Sequence, residues 1–504
     1  MGIINSIAGW IMRKRMHQIE LFLKYPHEVQ EEWMHKLVHK AKDTLYGKKH
    51  DFSSIRSYDD FVHNVPLTDY EGLKPYIESM RQGKTDVLWQ GQIQWYAKSS
   101  GTTDKSKFIP VSQEHLEECH YRGGRDMVTL YCELYPDNQL FTGKNLALGG
   151  SFQEHCFQNF ISYSGDVSAI IMRHLPMWAE FFRSPSLDIA LMSEWSSKLE
   201  RMANSIKDKS ITSLAGVPSW MLVLLNRTLE ITGKSNIYEV WPYLEVYFHG
   251  GVSLSPFLSA FDLLWDDKPL RLMQIYNASE GFFGIQDQKD SDDMLLMLDY
   301  GIFYEFIPQK YFYTDEKKTI PLSEVKKGQL YSLVISTNSG LWRYQLGDVI
   351  EFTSLNPYRI RIQGRTKHYI NRFGEELMVH NSDKAIRQAC LKSHASIKDY
   401  TAAPELLPDG TGYHHWVIEF IKAPENPDYF MKVLDEELKK QNSDYEAKRY
   451  RNFVLHFPRL TIVKKGTFDN WLRKNNKLGA QHKVPRLMND PSLLYEILHV
   501  ADVL

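Results

Sequence analysis

The sequence predicts an α/β protein: a large N-terminal mixed α/β part followed by a smaller α+β module. Three observations carry this. Helical patterns alternate with short, buried-looking apolar runs over most of the chain, the signature of substantial sheet covered by helices. The length of 504 residues exceeds what one small core organises; it suits two or three domains, or a large domain plus a smaller one. The style then changes after YRIRIQGR (358–365), where helix, strand, strand, helix and strand follow in a stretch of a size that folds on its own.

Taken in order, residues 1–50 are helical in pattern. Glu28–Lys42 sets Val29, Trp33, Leu37 and Val38 near one stripe. The opening MGIINSIAGWIMRKRMHQIELFLKY also spaces apolar residues helically. Its apolar part is short, basic residues follow it, and no small-residue cleavage site does, so it reads as a cytoplasmic start that packs onto the domain. A membrane-surface helix is the alternative. A helix is expected over 112–135, starting after Ser112 with Glu114 early and weakened at Gly123–Gly124. Further helices are expected over Glu194–Lys207 and Pro218–Leu229. Between them run the expected strands Asn145–Leu148, Leu244–Phe248, Leu270–Ile275, Leu330–Ser336 and Asp348–Phe352. The C-terminal module reads as helix Ser382–Lys392, strands Lys398–Ala403 and His414–Lys422, helix Asp428–Gln441 and strand Phe453–Val463. Its boundary is expected at Gly364–Lys367.

Composition narrows the function classes. A hydrophobic content of 43% and a charged content of 24% are ordinary for a soluble globular enzyme. The net charge of −2 leaves no basic excess, so nucleic acid is not an expected partner. An aromatic content of 13% suits a large core with substrate clefts. Cys119, Cys132, Cys156 and Cys390 are scattered without a CxxC pair, which disfavours a disulfide framework or zinc ribbon and fits a reducing cytoplasm. No apolar run reaches the roughly 18–20 residues that cross a bilayer.

Several chemistries fail on their motifs. HKLVH (35–39) puts two histidines on one helical face, but Lys36 stands where a zinc protease needs its glutamate base. His115, Cys119 and His120 share a helix without a distant partner set, and a satisfied core or surface role is the better reading. No G-x-S-x-G elbow, no Walker A loop and no G-x-G-x-x-G after a strand occur.

Four other stretches are informative together. YAKSSGTTDKSKFIP (96–110) gathers hydroxyls, a glycine and lysines, the makings of a phosphate cradle or of a plain polar turn. In YNASEGFFG (276–284) Tyr276 can lie flat on a purine, Ser279 can bond a phosphate and Glu280 can hold Mg²⁺, although a strand-end turn has the same look. In WRYQLGDVIEF (342–352) the aspartate of a Gly-Asp turn can accept bonds from a ribose diol, or can simply make the turn. IQGRTKHYINRFGEELM (362–378) offers a hinge and Arg365 for a nucleotide, or a charged linker.

The order SSGTT…K, YNASEG, YQLGD, GRTKHYI resembles the adenylate-forming superfamily of acyl-CoA synthetases, peptide-synthetase adenylation domains and luciferases. SSGTTDKSKFIPVS, HGGVS (249–253), WRYQLGDV, GRTKHYINRFGEELM, KKGTFDNWL (464–472) and LGAQHKVPRL (478–487) are most similar to the auxin-responsive acyl acid–amido synthetases, in particular their bacterial members. The resemblance covers essentially the whole chain. It implies a luciferase/acyl-CoA-synthetase type of large domain over 1–366 and a mobile small domain over 367–504, hinged at Lys367. Ser99, Ser100, Gly101, Thr102, Thr103 and Lys107 would form the ATP phosphate loop, and Gly250 and Gly251 a turn along the adenine. Tyr276 with Asn277, Ser279 and Glu280 would serve adenine, α-phosphate and magnesium. Asp348 would hold the ribose with Arg365 beside it, and Lys384 and Lys483 match lysines of the mobile domain. Asp104 departs from the pattern, since that loop more often carries a small residue there. Arg125 or Tyr121 could face the acid. The implied activity uses ATP and Mg²⁺ to activate a carboxylic acid as its acyl-adenylate and pass it to an amine, expected to be an amino acid. Thioester formation with coenzyme A, or nucleotide binding without turnover, are the alternatives. The expected assembly is a monomer or weak dimer.

Overall fold

The computed structural model describes residues 14–99, 107–157, 160–175, 177–251, 254, 258–265, 268, 270–312, 314, 316–365, 370–375, 377, 379–474, 484 and 486–501. Its strands before residue 366 are β1 (Trp95–Ser99), β2 (Lys107–Val111), β3 (Lys144–Ala147), β4 (Phe152–Phe157), β5 (Phe160–Gly165), β6 (Arg183–Ser184), β7 (Ile211–Gly216), β8 (Val246–His249), β9 (Arg271–Ala278), β10 (Gly281–Gln286), β11 (Met294–Leu296), β12 (Ile302–Pro308), β13 (Leu330–Thr337), β14 (Tyr344–Leu355) and β15 (Tyr358–Arg365). Among the described residues they form two sheets. The smaller runs β2-β1-β5-β4, and the larger runs β12-β13-β14-β15-β11-β10-β9-β8-β7-β3-β6. β6, β3, β7, β8 and β9 are mutually parallel, and the rest of the large sheet pairs antiparallel. This mixed sheet with helical cover is the α/β architecture expected.

Helices follow the apolar stripes. α1 (Pro26–Ala41) starts with proline in its first turn, where no N–H partner is needed, and buries Met34, Leu37, Val38 and Ala41. Its Gln30 side chain donates to the carbonyls of Leu298 and Ile302 and accepts from the Tyr304 N–H, which pins the helix to β12. The helix expected over 112–135 is a short turn at Gln113–His115, a π-turn at Leu116–Tyr121 and then α2 (Arg122–Leu134). Gly123–Gly124 does not weaken it. A Cβ on Gly123 would lie 2.5 Å from the Phe282 ring, so this glycine lets the helix lie against β10. Next come α3 (Val167–Arg173), α4 (Trp195–Ile206) and α5 (Pro218–Thr232), the last ended by Gly233 in the left-handed region.

Past residue 379 the C-terminal elements are α6 (Val379–Ser393), β16 (Ser396–Leu406), β17 (Gly412–Lys422), α7 (Pro427–Gln441), α8 (Ser443–Arg449), β18 (Arg459–Val463), α9 (Thr467–Lys474) and α10 (Ser492–Val500). The order β16-β17-β18 makes a three-stranded sheet among the described residues. The strand expected over Phe453–Val463 begins only at Arg459. Before it, Leu455 makes only an isolated bridge to Gly412, through the Val454 carbonyl and the His456 N–H, and Pro458 has no N–H with which to extend the ladder. One apolar core joins the small sheet to one side of the large sheet, and a second runs from α4 and α5 into the C-terminal elements. The two bodies also meet at Arg451–Glu230 (2.8 Å) and where the Lys448 ammonium lies 4.8 Å from the Trp220 ring centre. No helix among the described residues is long and apolar enough to cross a membrane.

Candidate active site

β3, β7, β8 and β9 all end at one edge of the large sheet. Open α/β sheets bind ligands outside the carboxyl ends of their parallel strands, so this edge is where a site is expected. The chain leaves it through small residues: Gly149–Gly150 after β3, Gly216 ending β7 and Gly250–Gly251 after β8. A Cβ on Gly250 would stand 2.6 Å from the Ile275 carbonyl oxygen and 3.2 Å from Asn277 Oδ1, so only glycine permits that approach, and Gly251 has φ +81°.

β9 turns straight into β10. Ala278 pairs with Gly281, which leaves Ser279 and Glu280 as the two residues of a tight hairpin at the edge. Glu280 is only 7% exposed. Beneath the hairpin the Phe282 N–H donates to Cys119 Sγ (3.1 Å), and His115 Nδ1 bonds Asn338 Oδ1 (2.7 Å). His120 meets His115 edge-on at 5.0 Å. Burial lowers His115 to about 4 and His120 well below the usual imidazole range, so both rings are neutral at pH 7 and the floor under Glu280 brings no cationic imidazole. The trio lies in the core, as read, but it is not fully satisfied: both ring nitrogens of His120 are buried without a hydrogen-bond partner among the described residues.

Asp348 reaches the same place from β14. Gly347 takes φ +87°, and the pairing of β13 with β14 slips between Ser332↔Val349 and Val334↔Gln345. A left-handed glycine in such a bulge re-aims the side chain that follows it. Asp348, 5% exposed, accepts a 2.6 Å hydrogen bond from the Tyr276 hydroxyl, and the Tyr276 ring tilts against Phe283 at 4.8 Å. On its other side Asp348 stands opposite Arg365 in the β14–β15 ladder. Motifs far apart in sequence thus meet: Tyr276 bonds Asp348, Asn277 lies against the Gly250 turn, and the Ser279–Glu280 hairpin begins three residues beyond Tyr276.

Ser99 pairs with Lys107 across β1 and β2, so the hydroxyl-rich stretch links two antiparallel strands. Ser100, Gly101, Thr102, Thr103 and Asp104 lie outside the described residues, as do Lys367, Lys483 and the side chains of Ser99 and Arg365. Lys107 donates to the Tyr344 hydroxyl at 3.3 Å, at the start of the strand that carries Asp348. Lys384 is exposed on α6, and among the described residues no hydrogen bond or ion pair joins it to the cluster. The Tyr121 hydroxyl approaches the Ile171 carbonyl at 3.5 Å. Arg125 lies 3.9 Å from Asp126, a carboxylate already held by Arg15 (2.6 Å) and Tyr300 (2.7 Å).

Sequence reasoning missed His249 and Lys198 at this edge. His249 ends β8, buried, with Nδ1 unbonded among the described residues, and burial lowers it to about 4. Its place beside Gly250 in HGGVS was the available signal. No cluster of three or more His, Cys, Asp or Glu capable of holding a metal occurs among the described residues. A buried lone carboxylate such as Glu280 is an oxygen ligand of the kind a hard cation takes alongside phosphate oxygens and water.

Three family models match the chain: GH3 family N-terminal domain over residues 15–270, GH3 family central domain over 295–365 and GH3 family C-terminal domain over 380–492. The chain is 23% identical to 4-substituted benzoates-glutamate ligase GH3.12 of Arabidopsis thaliana, across 86% of this chain and 88% of that protein. It is 24% identical to jasmonoyl–L-amino acid synthetase JAR4 of Nicotiana attenuata, across 95% and 94%. Among solved structures, AtGH3.15 acyl acid amido synthetase in complex with 2,4-DB superposes with TM-score 0.60 at 17% identity, covering 94% of this chain and 93% of that one. 2-Hydroxyisobutyryl-CoA ligase in complex with 2-HIB-AMP and CoA gives 0.59 at 12%, covering 94% and 92%. At these identities the two structures share the fold.

Proposed function

The chain belongs to the GH3 family, and from that premise we propose that it is an ATP-dependent ligase joining a carboxylic acid to an amine, expected to be an amino acid. The observation that carries this reading is the contact of Tyr276 with Asp348 next to the Ser279–Glu280 hairpin, at the carboxyl edge of the parallel strands. The named activities of the relatives, acyl–amino acid ligases, support it.

In this reading the Asp348 carboxylate accepts hydrogen bonds from the ribose diol, with Tyr276 held against it and against the adenine. Gly250–Gly251 lets the backbone lie along the base. The 99–107 loop and the Ser279 hydroxyl donate to the phosphates. Glu280 would hold magnesium, which when bound neutralises charge on the phosphate oxygens. The acid's carboxylate attacks the α-phosphorus in line, the bond to the bridging oxygen breaks, and pyrophosphate leaves. Lys483, with Lys384 as rival, is our choice for the cation that meets the charge growing on that leaving group. The amine then attacks the acyl carbonyl. The bond to AMP breaks, and the amine gives up its proton as the amide forms. We place the hinge of a mobile small domain, 367–504, at Lys367. Its closure would keep water from the activated acyl group.

The test is acid-dependent exchange of labelled pyrophosphate into ATP, screened over carboxylic acids, then mass spectrometry of products formed with mixed amino acids or coenzyme A. An amide is expected. A thioester alone would make the chain a coenzyme A ligase, and ATP binding without exchange for any acid would make it a nucleotide-binding protein.

A further inference from the structure

We propose that Lys198 is a positioning residue for the acid: it fixes the Gly149–Gly150 turn as the wall of the acyl end of the site. This rests on the ligase reading above. Lys198 projects from α4 and is only 3% exposed. Its ammonium donates to the carbonyl of Gly149 and, at 3.3 Å, to that of Gly150. A buried lysine is costly to hold charged, and here it is spent on two main-chain oxygens of one turn.

The turn is also locked from its other sides. The Ser151 N–H donates to Asp166 Oδ2 (2.9 Å), and the Gly150 N–H donates to Ser168 Oγ (3.0 Å). A Cβ on Gly150 would sit 1.8 Å from Asp166 Oδ2, and one on Gly149 2.6 Å from Met172 Sδ. No side chain fits at either position, so the backbone of the turn packs directly on Asp166 and Met172.

What lies beyond follows from topology. Gly149 and Gly150 leave β3 at the carboxyl edge of the parallel strands, the edge that carries the Ser279–Glu280 hairpin at its β9 end. Asp166 directly follows β5, which runs parallel to β1 with Gly165 opposite Ala97. The end of β5 and the start of the hydroxyl-rich stretch after Ser99 therefore lie at the same end of the small sheet. The turn stands where the carboxyl ends of both sheets meet, with β7 and β8 between it and the strand that bears Tyr276. With the nucleotide at Tyr276 and Asp348, this junction is left for the acid.

Asp166 is the charged group with a resolved influence on Lys198. Ser168, Met172 and Ala190, which pack on the turn, carry no charge, and the charged groups nearby on or against α4 are paired with one another, Asp188 with Arg201 and Glu200 with Arg227. Burial lowers the ammonium to about 8, with Asp166 acting against the shift. Lys198 is thus charged at pH 7 and loses its proton as the pH rises through about 8, where its bonds to the carbonyls weaken.

The experiment measures pyrophosphate exchange, which needs no amine, as a function of acid, ATP and pH. Lys198→Met should raise KM for the acid by about tenfold or more, the scale of losing a charged hydrogen bond, with KM for ATP within about twofold of wild type. The wild type should lose kcat/KM for the acid as the pH passes about 8, and that limb should be absent from the variant. Lys198→Gln, which keeps a donor, should recover part of the loss and guards against a folding defect. Equal rises in both KM values, or an unchanged alkaline limb, would overturn the proposal. Absence of exchange in the wild type would instead remove the ligase reading itself.

Discussion

Asp348 is the side chain on which the proposed nucleotide site leans most. It is buried, aimed by a left-handed glycine and already bonded to Tyr276. Two ribose hydroxyls would add charge-assisted hydrogen bonds of roughly 1.5–3 kcal/mol each. Asp348→Ala should therefore weaken ATP binding by at least about tenfold, and unchanged affinity by calorimetry in a folded variant would withdraw the ribose role. Glu280 makes a different prediction, because a hard cation selects charge and not shape. Glu280→Gln should keep the fold and lose acid-dependent exchange, most severely at limiting Mg²⁺; normal exchange under those conditions would argue for a turn residue. At this scale the sequence was readable where one motif holds both residue and backbone reason, as in Gly347–Asp348. It was unreadable where the partner is remote. Nothing near Lys198 announces Gly149, and nothing near Gly123 announces the Phe282 ring it makes room for.

At the scale of elements, periodicity located α1, α4, α5 and the parallel strands β3, β8 and β9 closely, because each buries one face or both, and it passed over the parallel strands β6 and β7. It failed where a local event interrupts the pattern. The π-turn at Leu116–Tyr121 keeps an apolar stripe while changing the winding, and Pro458 sets β18 back to Arg459, leaving Leu455 as a lone bridge to Gly412. The small body contains an element-level contact with a pH signature. Asp435 on α7 accepts from Arg449 (2.7 Å) and Tyr445 (2.7 Å) on α8 and pairs with Lys439 (2.8 Å). Burial raises its pKa, but Arg449, Lys439 and Tyr445 outweigh that and hold it below the ordinary value of 3.8. A carboxylate depressed in the folded state contributes stability above its unfolded pKa and loses it as the pH falls through the folded one. Asp435→Asn should cost about 3 kcal/mol or more at pH 7. Its gap in Tm from wild type should narrow below about pH 4. A gap constant with pH, followed by circular dichroism, would mean that the carboxylate's charge is not what joins the helices.

For the molecule as a whole, the proposal turns on which lysine of the small body meets the leaving group. Lys483 stands in the Gly/Gln/Pro-bearing sequence LGAQHKVPRL, outside the described residues, while Lys384 sits exposed on a packed helix. A lysine that meets charge only in the transition state changes rate and not ground-state binding. Lys483→Ala should lose exchange by about a hundredfold or more and still consume a supplied acyl-adenylate. Survival of exchange there, with its collapse in Lys384→Ala, would pass the role to Lys384. That a separate C-terminal body follows the large one was legible from the change of pattern, whereas the seam between them was not. Arg451–Glu230 and Lys448–Trp220 join residues with no shared motif. One rung of the β14–β15 ladder gives this seam a further meaning. Asp348 and Arg365 face each other across it, and the chain beyond Arg365 runs directly on to the second body. With the ribose at Asp348 and the hinge at Lys367, as we propose, the pocket for the nucleotide and the suspension point of the second body would be a single crossbar. Load applied at either end would then be felt at the other, and reciprocity would fix the exchange rate: whatever factor a bound nucleotide applied to the balance of postures, the postures would apply to its affinity.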